Sequence, residues 1–168
     1  MRRTVVCAVV FCAVLGTAIL AAAGDKGSQP RFKTLEVKHI VLADGVILPD
    51  TINPQTYLSL FYDELRSELE KKGIAAQVLG EGASVPEADA GESAVVEAKI
   101  TDFKKAGRGM AHPGELWLQI ELTGRKDHAP IATATPKTKL TPGSYRTDAN
   151  FAKVSASLAA GEIKKALK

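Results

Sequence analysis

From Ala94 to Phe103, and again from Glu115 to Leu122, apolar and polar residues alternate with period two. That is the pattern of a strand with one buried face and one wet face. Val96, Ala98 and Ile100 form the apolar row of the first arm, and Leu116, Leu118, Ile120 and Leu122 that of the second. Antiparallel pairing with Ile100 opposite Leu118, and Ala98 opposite Ile120, joins the two rows on one face. A slip of one residue would turn every leucine to water, so the register is well specified. The same alternation places Phe103 and Trp117 outward and Asp102 at the end of the inward row.

The rest of the chain reads around this hairpin. Thr34 to Leu42 alternates as a first strand, with the pattern blurring at Ile40 and Leu42, and Asp44–Gly45 marks a turn. Asn53–Pro54 is a helix start, a capping side chain followed by proline at the first helical position. Leu58, Phe61, Leu65 and Leu69 then make an apolar stripe, and Gly73 ends the helix. Ile74 to Leu79 is a short strand, completing a βαβ unit. Gly80 to Ser93 is a long acidic loop. After Thr123–Gly124, Ala129 to Thr135 reads as a strand that Pro130 confines to an edge or a start. Pro136 to Tyr145 reads as a basic connector. Thr147 or Asp148 caps a last helix with the stripe Phe151, Val154, Leu158, Ile163 and Leu167, which Gly161 weakens without ending. The order predicts an α+β domain: a single mixed β-sheet of about five strands, with two amphipathic helices packed on one face.

The N-terminus follows another pattern. Arg2 and Arg3 precede an apolar run from Val5 to Ala23, which closes on three alanines before Gly24–Ser28 turns polar. This is the layout of a secretory signal peptide. An uncleaved membrane anchor is the competing reading, since the run is nearly long enough to span a bilayer. The division is therefore a signal peptide at 1–23, a flexible leader at 24–33 and one domain at 34–168, exported to the periplasm or beyond the cell.

Export changes what composition means. Loss of Arg2 and Arg3 takes the formal charge from +3 to +1. A nearly neutral surface offers no footprint for nucleic acid. Both cysteines, Cys7 and Cys12, lie inside the signal, so disulfide and thiolate chemistry drop out of the mature chain.

Recognisable catalytic chemistry is sparse. His39, His112 and His128 are far apart, without acidic or histidine neighbours at helical ligand spacing, so neither a metal nor a cofactor is expected. His39 reads as a strand residue in or beside the core. No nucleophile elbow, phosphate loop or dinucleotide fingerprint occurs. Asp102 stands beside the hairpin loop, where facing water or satisfying loop amides accounts for it.

The run Ala94–Phe103 ending in Ile-Thr-Asp-Phe, then Gly107-Arg108-Gly109, then Leu116–Leu122 with Thr123–Gly124 after it, resembles domain of unknown function 4410, a family of exported bacterial proteins. The family's aspartate before the Thr-Gly turn is replaced by Leu122. The resemblance implies an exported α/β domain of the cell envelope and carries no catalytic residue across.

These readings together lead to a non-enzymatic envelope domain that binds an envelope protein or another acidic macromolecule, or helps an assembly. Phe103, Lys104, Lys105, Arg108 and Trp117 are its candidate contact residues, because aromatic and basic side chains dominate interface hot spots. For Trp117 the alternative is packing, flat over the sheet or beneath the hairpin loop. The alternative function is a small hydrolase or ligand-binding domain with a site assembled from distant residues. Mass spectrometry of the exported protein should give a chain beginning at or near Gly24; recovery of intact Met1 to Ala23 in a membrane fraction would establish the anchor instead.

Overall fold

The computed structural model describes residues 30–105, 114–141 and 143–168. The signal segment, most of the leader, Arg108 and His112 lie outside these residues. Seven strands form one mixed sheet: β1 (Phe32–Val37), β2 (Val41–Leu42), β3 (Ala75–Leu79), β4 (Ser93–Lys104), β5 (Gly114–Gly124), β6 (Pro130–Ala134) and β7 (Lys137–Leu140). The long path runs β3-β1-β4-β5-β6, with β2 pairing β4 beyond β1 and β7 pairing β5 beyond β6. Helices α1 (Pro54–Lys71) and α2 (Asp148–Ala166) cover one face. The mixed α+β class with both helices on the leucine-rich face is as the pattern predicts, with two more strands than the five expected.

Both extra strands have local causes. The first strand divides because the chain steps away from the ladder after Val37: the His39 amide donates to the Glu81 carboxylate at 2.8 Å, and pairing resumes only at Val41↔Lys99. His39 is therefore an exposed residue of the break, not a core residue. β7 occupies the supposed connector, where Pro136 sits between two short edge segments that both pair with β5. β1 begins at Phe32, two residues inside the segment read as leader.

The Asn53 side chain accepts the Thr56 amide at 3.1 Å, and α1 starts there as expected. Its buried stripe is Tyr57, Phe61, Leu65 and Leu69, so the first position is Tyr57 and the half-buried Leu58 is a flank. Gly73, at φ 63, reverses the chain into β3, which pairs parallel with β1. In α2, capped by Thr147, the contact face is rotated from the expected stripe. Phe151, Ala152, Ser155, Ala156, Ala159, Ala160 and Ile163 are buried, whereas Val154, Leu158 and Leu167 lie on its margin. Four alanines let the helix backbone approach α1 and the sheet closely, which larger side chains would prevent. Between the helices Tyr57 and Ser155 share a buried hydrogen bond of 2.9 Å, and Ser155 also donates to the Phe151 carbonyl. Burial drives the Tyr57 phenol's pKa well above its usual value, and the Ser155 bond offsets this only in part.

The hairpin register holds as predicted from Ala94↔Gly124 to Ile100↔Leu118. Beyond that the ladder gains one residue, Thr101, and resumes with Asp102↔Trp117 and Phe103↔Leu116. The bulge reverses the expected facing of every later residue in β4. Phe103 points inward at 8% exposure, not outward beside Trp117. Its ring lies edge-on to Tyr145 and Phe151 at 5.5 and 5.6 Å. Asp102 turns to the outer face, and its carboxylate accepts the Phe103 amide at 2.8 Å, a contact within the strand and not with the loop. Gly114 opposite has no side chain because a Cβ would stand 2.9 Å from Tyr145.

Leu118 is 1% exposed. Its replacement by alanine should destabilise the fold by about 2–5 kcal/mol, whereas Glu121→Ala on the other face should change stability by less than about 0.5 kcal/mol. Comparable losses in denaturant titrations of the two variants would mean that both faces are equally covered.

Candidate functional site

The sheet face away from the helices is divided in two. Near the start of β4 the Gly80–Glu92 segment lies over it. There Glu36, 8% exposed, accepts from the Gly82 amide at 2.9 Å and forms an ion pair with Arg125. Arg125 in turn donates to the Ala83 carbonyl at 3.1 Å. Farther along β4 and β5 nothing among the described residues covers the face. Glu97, Lys99, Gln119 and Trp117 stand on it as exposed or half-buried side chains.

Trp117 is the centre of this open half. The strand alternation that buries Leu116 and Leu118 turns it outward. The bulge then brings Lys104 to the same side, and β7 supplies Lys137 directly opposite. The Lys104 ammonium lies 5.0 Å and the Lys137 ammonium 4.5 Å from the indole centroid. Each is within cation–π range, where attraction is about 0.5–2 kcal/mol depending on solvation. Lys137 also pairs with Glu115 at 3.1 Å. Lys99 and Lys139 stand on the same face, with no ion-pair partner among the described residues. Toward β2 the face deepens into a groove of about 470 Å³ lined by Lys38, His39, Val41, Lys99 and Gln119, among others. On its rim His39 Nε2 is 3.7 Å from the Glu81 carboxylate, and the imidazole packs against the Tyr62 ring at 4.8 Å. Lys38 is bonded to Glu97, which raises the lysine pKa.

Of the five residues singled out from sequence, the structure unites Lys104 and Trp117. Phe103 is buried in the aromatic cluster. Lys105 turns aside to Asp50, 3.7 Å away across exposed side chains. Arg108 lies outside the described residues. Lys137 was missed, although Lys-Thr-Lys-Leu at 137–140 alternates with period two and could have signalled an edge strand. Among the described residues no group of three or more His, Cys, Asp or Glu side chains could hold a metal ion, and no helix is long and apolar enough to cross a membrane.

The two lysines give Trp117 an electrostatic signature. Iodide should quench its fluorescence more efficiently than caesium, because the anion is drawn to the flanking ammonium groups. In Lys104→Ala/Lys137→Ala the two quenchers should become nearly equal. Because Trp117 is the sole tryptophan in the chain, Stern–Volmer plots report this place alone. Blue-shifted emission that neither ion quenches would make Trp117 a packing residue.

Neither a family model nor a curated protein matches the sequence. Solved structures of similar fold do exist. The PelC dodecamer from Paraburkholderia phytofirmans has a TM-score of 0.52 at 15% identity, covering 83% of this chain and 91% of that one. Protein XCC0632 from Xanthomonas campestris, described with the family model DUF330, has a TM-score of 0.53 at 14% identity, with 84% and 94% covered. The hypothetical protein CT253 from Chlamydia trachomatis has a TM-score of 0.51 at 10% identity, with 81% and 93% covered. At these identities the likeness is one of fold: the chain has an architecture found in bacterial proteins, among them one of a domain-of-unknown-function family.

Proposed function

We propose that this protein is an exported domain of the bacterial cell envelope that works without catalysis, as a binding or assembly module. In this reading the open half of the outer sheet face meets an acidic macromolecule. The observation that carries the reading is Trp117 held between two lysine ammonium groups on an otherwise polar strand face. An indole fixed in this way offers a large contact area with little entropy left to lose, and the cations select a partner of negative charge. Export rests on the N-terminal charge and apolar pattern. Membership of domain of unknown function 4410 belongs to the same proposal, on the residues of the hairpin. Assembly enters because PelC, of like fold, is a dodecamer.

The rival, a small hydrolase or ligand-binding domain, has one specific observation in its favour. His39 and Glu81, distant in sequence, meet in the lining of the 470 Å³ groove, with Tyr62 packed behind the imidazole. Asp102 has no part in it, since its carboxylate is bonded to the neighbouring amide. Loss of a measured hydrolytic or ligand-binding activity in His39→Gln, with Trp117→Ala unaffected, would favour this rival.

A tagged chain incubated with envelope extract should retain a specific acidic partner, and Trp117→Ala/Lys104→Glu/Lys137→Glu should lose it with the fold intact by circular dichroism. Equal retention by the two forms, or no specific retention, would overturn the binding face.

A further inference from the structure

We propose that the end of the domain where α1 and α2 terminate is a docking surface for anionic phospholipid headgroups. A cavity of about 310 Å³ opens there between the turn after α1 and the last turn of α2. The charged side chains that line it are those of Arg31, Lys72, Lys164 and Lys168, all cationic, and Ile74 and Leu167 supply apolar wall. Two of the cations are held at the rim by backbone. Arg31 donates to the Leu167 carbonyl, and Lys164 to the Lys72 carbonyl at 3.3 Å.

Capping of helix C-termini explains why cations gather here and why Arg31 and Lys164 are fixed. It does not account for Lys168, which has no ion-pair partner among the described residues, nor for the apolar wall between the charges. At the rim, Lys72 pairs with Glu68 at 3.7 Å. Gly73 leaves its side of the cavity open, with no atom within 4 Å of where a Cβ would stand. A cationic rim around an apolar recess fits a phosphate with acyl carbons behind it, and juxtamembrane cations draw proteins to anionic bilayers.

The path of the chain supports the same occupant. The apolar run ends at Ala23, and the seven residues from Gly24 to Pro30 separate it from Arg31. Fully extended, they span at most about 25 Å, so a retained segment would hold this end close to the bilayer. If the segment is cleaved, the cations alone provide the attraction. Arg31 precedes β1, whose parallel partner β4 runs for twelve residues from Ser93 to Lys104, a rise of roughly 35 Å. A domain docked by its helix ends would therefore present Trp117 away from the membrane. This surface is separate from the Trp117 face and stands or falls without it.

The test is sedimentation of the exported chain with vesicles of phosphatidylglycerol and phosphatidylcholine, against vesicles of phosphatidylcholine alone. The quantity read is the ratio of the two affinities. Each surface cation contributes about five-fold, so Lys164→Glu/Lys168→Glu should lower the ratio by at least about 25-fold. Lys126→Glu/Lys153→Glu, an equal change of net charge at other exposed positions, should leave it nearly unchanged. Melting curves of both variants verify folding. A ratio near one for the unaltered chain, or equal losses in the two variants, would overturn the proposal. So would displacement from the vesicles by inorganic phosphate at matched ionic strength, which would assign the cavity to a free anion.

Discussion

At Thr101 the ladder between β4 and β5 gains one residue, and the side chains beyond it exchange faces. Both faces of this end of the sheet depend on that exchange. Inward, it delivers Phe103 to a cluster with Tyr145 and Phe151, and Phe151 in turn stacks on Tyr57 at 4.5 Å. The sheet end, the segment before α2 and both helices are thus joined through aromatic rings, whose edge-to-face geometry adds to the burial of their area. Outward, the exchange delivers Lys104 to Trp117. Without the extra residue a phenylalanine would stand in water and a lysine would point into the core. Bulges commonly re-aim side chains near the rim of a sheet, and here the re-aimed Lys104 completes the candidate surface around Trp117.

The helix layer is built on a size match. Tyr57, Phe61, Leu65 and Leu69 project from α1, and α2 answers with Ala152, Ala156, Ala159 and Ala160, all fully buried. Large against small gives close backbone approach without voids. The buried polar contact inside it, Tyr57 with Ser155, is satisfied on both sides, since Ser155 also reaches the Phe151 carbonyl. Buried hydroxyls that lacked partners would cost stability. Here they fix which face of α2 meets α1.

Periodicity revealed what periodicity can encode. The hairpin up to Ile100↔Leu118 and the start of α1 at Asn53 are legible, because alternation, a capping side chain and proline act locally. Thr101 is invisible to alternation: an extra residue changes the phase of the pattern without leaving a mark on it. Phe103 therefore faces inward where plain alternation points it outward. The α2 face is rotated from its apolar stripe because small residues, four alanines and Ser155, fit where the helices touch, while the more hydrophobic Val154 and Leu158 lie on the margin. The break at His39 depends on Glu81, forty-two positions away. The cationic end draws on positions 31, 72, 164 and 168. No window along the chain contains either.

Why the candidate surface lies on the lower half of the outer face follows from Glu36 and Arg125. A carboxylate facing outward from β1, under a covering segment, is costly to bury without hydrogen-bond partners. It takes the Gly82 amide and the Arg125 guanidinium, and Arg125 reaches on to the Ala83 carbonyl. The pair therefore binds the segment after β3 to the turn after β5, across the strands between. This closes the upper half of the face: Val95 is 5% exposed there, although it lies outside the cluster beneath the helices. The covering segment reaches only as far as Glu81, which caps the His39 amide at the break. Beyond the break no chain of the described residues crosses β4 and β5, and Trp117 stands in that opening. Binding at the candidate surface would leave the clamp in place, because Trp117, Lys104 and Lys137 lie clear of Glu36, Arg125 and the Gly82 amide that hold it.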